Sequence, residues 1–139
     1  MSQGLYEETK VGFQLPIFEA PTVTRQTLAI YCGASGDHNP VHVDIDFAKA
    51  AGLDDVIAHG MLIMAYAGRM LTNWTLQSSI KGFDTRFLGM TRIGDRIFVS
   101  GAVRDKFIEG DRNILIIEVS AKDQGGLNKL SGSATLVFP

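Results

Sequence analysis

Asp37 and His42 stand five positions apart in the run Ser35-Gly36-Asp37-His38-Asn39-Pro40-Val41-His42. That run cannot be helical throughout, because a proline ring excludes the α conformation from the residue before it. A carboxylate and an imidazole on one shaped turn form an acid/base pair for a water molecule, since a free imidazole titrates at about 6.5 and serves as a base near neutral pH. Further along, Ala58-His59-Gly60-Met61 opens an apolar segment. At the first residue of a helix the backbone N–H has no intrahelical acceptor, the helix dipole is positive, and a glycine has no Cβ to keep a carbonyl away. Gly60 is therefore the candidate backbone donor to an oxygen that gains charge in a transition state. The two stretches together hold an acid/base pair for a water molecule and a backbone donor for a carbonyl oxygen.

The elements that must position these groups follow from patterning. The segment through Pro21 reads as extended, with Pro16 before Ile17-Phe18 and both prolines suited to an edge strand. Thr24 is a plausible N-cap for a helix in which Leu28, Tyr31 and Cys32 face inward and which Gly33 and Gly36 end. Asp44 or Asp46 caps a short helix from Phe47 to Ala51, closed by Gly52. From Gly60 to about Trp74 the residues are apolar nearly all round, the pattern of a helix buried on most sides. Four β-rich runs follow at about 82–88, 96–106, 113–122 and 129–138, punctuated by Gly89, Gly94-Asp95, Gly110-Asp111 and Gly125-Gly126. In the second, Ile97, Val99 and Val103 alternate with Arg96, Ser100 and Arg104, as in a sheet with one buried face. The expected architecture is α+β, a long antiparallel meander wrapped around one helix.

Composition narrows the function. The 139 residues show no repeat, linker or low-complexity stretch, so one domain over 1–139 is expected. A formal charge of −2 offers no clustered basic surface for nucleic acid. The single cysteine, Cys32, permits no intrachain disulfide, and Met1 to Lys10 lacks the apolar core of a signal peptide; both point to the cytoplasm. The apolar stretch from Met61 to Leu71 is interrupted by Arg69 and falls short of the roughly 20 residues that cross a bilayer.

The run from Tyr31 to His42, with Ala48 six residues further on, resembles the signature of the MaoC-like, R-specific enoyl-CoA hydratase family. Ala58-His59-Gly60-Met61 looks like its second motif, and Phe87 through Gly94-Asp95 is similar to its strand-turn pattern. The resemblance implies a hotdog fold, usually paired with a second unit into one continuous sheet. It implies a hydro-lyase that interconverts trans-2-enoyl and R-3-hydroxyacyl thioesters of coenzyme A or acyl carrier protein, without a further cofactor or a metal. Asp37 and His42 would then be the catalytic pair that binds the added water, and the Gly60 amide would hold the thioester oxygen. Lys10-Val11-Gly12 and Thr24-Arg25 look especially like dehydratase subunits of bacterial type II fatty-acid elongation, some of which are heterodimers, so a homodimer, a higher homo-oligomer or a heterodimer with a related subunit is implied. Met90 stands where family members often have proline.

The neighbouring residues carry plainer expectations. Asn39 and Pro40 shape the loop, His38 is a bystander, His59 braces the helix start, and Cys32 is a buried structural thiol. Asp37, His42 and His59 have the types of a two-histidine, one-carboxylate metal site but no helical i, i+4 register. Arg86, Arg92, Arg96 and Arg104 receive no role. Two other functions are weighed: a non-catalytic acyl-thioester-binding or partner subunit, and a hotdog thioesterase. Thioesterases of that fold often place a carboxylate on or near the central helix, whereas no Asp or Glu lies between Val56 and Phe83.

Overall fold

The computed structural model describes residues 2–139, and its second half is almost entirely strand. β1 (Phe18–Glu19), β2 (Ile80–Phe87), β3 (Phe98–Glu109), β4 (Arg112–Lys122) and β5 (Asn128–Phe138) form one antiparallel sheet in the order β1-β3-β4-β5-β2. Alternation selects the face: Val99, Gly101 and Val103 of β3 are buried and the residues between them are partly exposed. The sheet curls around α4 (Gly60–Trp74), whose Ile63, Ala67, Met70 and Leu71 share a core with Ile117, Val119, Leu130 and Leu136. Glycine permits the closest approach, since a Cβ on Gly101 would come within 2.8 Å of the Met70 methyl and 3.2 Å of Ile117. This is the expected α+β arrangement, with strand ends within a few residues of those read from the sequence.

Two expectations need correction and a third needs narrowing. The chain before Lys10 is not extended: Ser2–Glu8 is a helix, α1. Its stability comes from tertiary contacts that no local pattern encodes. The Tyr6 hydroxyl donates to the Phe107 carbonyl at 3.1 Å, and Lys106 donates to the carbonyls of Tyr6 and Thr9 at 2.6 and 2.7 Å, capping the C-terminal end of α1. The edge strand is correspondingly short, with β1 preceded by an isolated bridge from Gln14 to Ala102 and by a bond from the Gly12 amide to the Val103 carbonyl. The third concerns α4, which is buried or half-buried on most sides but keeps one face open: Met61 is 52% exposed, and Ala65 and Arg69 on the same face are exposed with it.

Two shorter helices flank the start of α4. In α2 (Arg25–Ser35), Thr24 and Thr27 form a reciprocal capping box, and Gly36 ends the helix in the left-handed region at φ 74°. Gly33 lies inside α2 and does not end it. Asp44 caps α3 (Ile45–Ala50), accepting the amides of Asp46 and Phe47 at 2.9 and 3.1 Å, so this helix begins two residues earlier than its apolar pattern suggests. Val23, Leu28, Ala48, Val56, Ala58 and Leu62 form a second core among these elements. That core seats the loops of the candidate site.

Candidate active site

Successive side-chain-to-backbone bonds build the loop after α2. Asp37 Oδ1 accepts the Asn39 amide at 3.2 Å, and Asn39 Oδ1 accepts the Val41 amide at 3.1 Å. With Asn39 held at φ −57°, ψ 122°, the chain enters a single 3-10 turn, Pro40–His42, which delivers the His42 ring to the interior at 9% exposure. His42 Nδ1 lies 2.7 Å from the Ile57 carbonyl. A carbonyl only accepts, so Nδ1 carries the proton, and in the neutral ring Nε2 keeps its lone pair. Nε2 is 3.9 Å from Asp37 Oδ2, a gap beyond direct hydrogen bonding that one water can bridge; the Asp37 side chain is 54% exposed.

His59 connects this loop to the helices. Its ring stacks on His42 with centroids 3.6 Å apart, meets Tyr31 edge-on at 4.8 Å, and places Nε2 3.1 Å from the Asp37 carbonyl and 3.5 Å from Cys32 Sγ. The Asp37 carbonyl requires a proton on His59 Nε2. Burial pushes the His59 pKa below 6.5 and the neighbouring His42 adds to this, outweighing the opposing pull of the Asp37 carbonyl and carboxylate. His59 thus favours its neutral form and ties the Asp37 loop to the helices rather than bracing the start of α4. Its Nδ1 is buried without a partner among the described residues, and Cys32 is buried beside it.

Gly60 is the first residue of α4, and the His59 side chain makes no capping bond to the helix. Its amide is free of intrahelical acceptors. A Cβ at this position would press on the Phe87 ring at 3.3 Å, so glycine keeps the helix start open. His42 and Gly60 open onto one cavity of about 370 Å3, walled by Ile63, Phe87, Met90 and Lys129. Asp37 does not line this cavity; it reaches the site through His42 Nε2. A larger hollow of about 700 Å3 lies at another part of the sheet, beside Lys81, Asp111, Arg112 and Pro139, and no histidine lines it.

Donor atoms of Asp37, His42 and His59 lie within 4.8 Å of one another. One nitrogen of each ring, however, is engaged by a carbonyl, His42 Nδ1 by Ile57 and His59 Nε2 by Asp37, which leaves His42 Nε2 and His59 Nδ1 as the free nitrogens. The four arginines left without a role stay at the surface, Arg96 paired with Glu19, Arg104 with Asp105 and Arg92 near Asp54. Sequence reasoning missed two polar cavity residues, Thr91 and Lys129, and Ile57, whose carbonyl holds His42. Thr91 lies inside the 87–95 strand-turn segment but nothing there singles it out, and nothing around Lys129 marks it, since their partners are distant in the chain.

Comparison with known proteins finds relatives in sequence and in fold. Residues 8–123 match the family model described as MaoC like domain. Fatty acid synthase subunit beta of Gibberella zeae is 37% identical over 118 residues, which is 83% of this chain but 5% of that protein. The chain likewise spans 11% of the peroxisomal hydratase-dehydrogenase-epimerase of Neurospora crassa, at 32% identity. The mitochondrial 3-hydroxyacyl-(acyl-carrier-protein) dehydratase of Arabidopsis thaliana is 27% identical over 124 residues, 87% of this chain and 74% of that one. Among solved structures, unliganded R-hydratase PhaJ1 from Pseudomonas aeruginosa superposes with a TM-score of 0.84 at 26% identity, covering 96% of this chain and 84% of that chain. The curled sheet and central helix are the hotdog fold of such R-hydratases. With the family model covering most of its length and the same fold beneath it, this chain belongs to the MaoC-like domain family.

Proposed function

We propose that this chain is a hydro-lyase that reversibly hydrates trans-2-enoyl thioesters of coenzyme A or acyl carrier protein to R-3-hydroxyacyl thioesters. One observation carries the proposal: His42, its Nδ1 held by the Ile57 carbonyl and its Nε2 3.9 Å from the Asp37 carboxylate, opens onto the same cavity as Gly60. A water held between Asp37 and His42 adds its oxygen to C3 of the enoyl group while a proton is delivered to C2, so the pair supplies both halves of the water and no electron acceptor is needed. Charge that moves onto the thioester oxygen in the transition state meets the Gly60 N–H and the positive end of α4. The acyl group lies against Ile63, Phe87 and Met90. The chemistry calls for no cofactor or metal beyond the carrier of the acyl group.

Residues 1–139 act as one hotdog unit that pairs with a second unit. The pairing is supported by half-exposed Met61, Phe87, Leu88 and Met90 beside the cavity and by the free edge of β2, which bonds only to β5. Among the described residues no helix is long and apolar enough to cross a membrane; the proposed location is the cytoplasm. A thioesterase is disfavoured because α4 carries no carboxylate. A silent partner subunit would have no use for the intact Asp37–His42 pair. The test is loss of crotonyl-CoA or longer enoyl-CoA absorbance with the purified protein, with product chirality determined. Turnover that disappears in His42→Ala supports the proposal; wild-type rates in His42→Ala and Asp37→Ala, or acyl-thioester binding without turnover in wild type, overturn it.

A further inference from the structure

Lys129 is a charged side chain that the proposed chemistry leaves unused, yet the residue is only 4% exposed. An ammonium so deeply placed must be paired and hydrogen-bonded. Its Nζ lies 2.6 Å from the Met90 carbonyl, 3.2 Å from Asp123 Oδ2 and 3.6 Å from Asp95 Oδ2. Both carboxylates are themselves fixed. Asp123 Oδ1 accepts the amides of Gly125 and Leu127 at 2.9 and 3.0 Å, closing the β4–β5 turn, and Asp95 Oδ2 accepts the Arg92 amide at 2.8 Å, closing the turn before β3. Lys129 therefore hangs from two closed turns and directs its shortest bond at the carbonyl of a cavity-wall residue.

From Met90 the contacts lead to the candidate catalytic groups. The Thr91 carbonyl accepts the Ala58 amide at 2.8 Å, and Arg92 forms an antiparallel bridge with Ile57. The Ile57 carbonyl holds His42 Nδ1, and Ala58 leads through His59 into Gly60. Residues 90–92 are thus a strap laid along 57–58, the segment that both orients the His42 ring and starts α4. Leu88 ties the near end of the strap, its amide donating to the Lys129 carbonyl at 2.9 Å.

Resting on the hydro-lyase reading, we infer that Lys129 is a positioning residue: by pinning the Met90 carbonyl it holds the 90–92 strap that sets His42 and the Gly60 amide relative to each other. It does not act on substrate directly, because an ammonium has three N–H donors and three acceptors already surround it. The role depends on an oriented donor at the end of a chain of the right length, so an isosteric apolar side chain removes it.

Lys129→Met tests the inference, together with Asp123→Asn/Lys129→Met, which preserves the net charge of the cluster where the single variant fails to fold. In the variant that folds, kcat for an enoyl thioester is expected to fall about tenfold or more with KM changed by less than about threefold, the signature of a lost transition-state alignment. Amide hydrogen exchange at Ala58 is expected to accelerate. A lysine that only stabilises the fold would lower Tm and leave both kcat and Ala58 exchange unchanged; that result overturns the inference, and it leaves the hydro-lyase reading intact where His42→Ala is inactive. If the wild type turns over no enoyl thioester, the reading of the reaction fails, and exchange at Ala58 alone decides whether Lys129 pins the strap.

Discussion

Segment 36–60 and the meander of β3, β4 and β5 are held by opposite strategies. The meander is a long ladder, shifted in register only near Val103 and Ala121, in which Leu115, Ile117, Val119 and Leu136 are fully buried, and each residue shares its load with neighbours along and across the strands. The segment contains little regular structure and depends on single atoms: Asp37 Oδ1 for the Asn39 amide, Asn39 Oδ1 for the Val41 amide, the Ile57 carbonyl for His42, and the Asp37 carbonyl for His59. The difference separates two properties. Stability resides in the redundant ladder, and the orientation of the reacting groups resides in bonds that have no substitute nearby.

Substitutions in the two regions should therefore have opposite signatures. The largest effect is expected from Asp37→Asn, which keeps the Oδ1 acceptor of the loop but removes the charge: turnover should fall about 10³-fold while urea denaturation shows a stability change within about 0.5 kcal/mol. Ile117→Ala should do the reverse, costing about 3 kcal/mol in the same denaturation experiment with kcat per folded molecule unchanged. Asn39→Ala sharpens the distinction because it removes a cap from the turn that carries His42; a loss of about 1 kcal/mol should come with a lower kcat. Equal losses of activity in Ile117→Ala and Asp37→Asn would remove the separation altogether.

The smallest effect concerns pH. His59 has its pKa lowered by folding, so the unfolded chain binds the proton more readily than the folded one. Its neutral form is favoured at high pH, and the stability it contributes is lost as pH falls through the unfolded value near 6.5 toward the lower folded value. A Tm series from pH 7.5 to 5 should decline over that window and be flatter in His59→Gln.

The features readable from sequence were those whose causes are local. The apolar run after His59-Gly60 marks α4 at its observed bounds, Gly60–Trp74, and Ile97, Val99 and Val103 mark the buried face of the second β-rich run. Asp37 and His42 are joined by a turn whose polar residues announce it. Other features depend on partners far along the chain. Tyr6 and Lys106 explain α1 only once β3 passes beside it, and Lys129 meets Met90, Asp95 and Asp123 only after three turns have closed. An apolar run also cannot say which neighbours a helix will have, which is why it gives no sign of the open face of α4 at Met61 and Ala65.

The most direct measurement is a crystal structure of the Asp37→Asn protein with an R-3-hydroxyacyl-CoA product bound. The expected complex has the thioester oxygen about 3 Å from the Gly60 amide and the C3 hydroxyl between His42 Nε2 and the side chain at position 37. A thioester bound in the cavity with its carbonyl turned away from Gly60, or with C3 out of reach of His42, would contradict the mechanism.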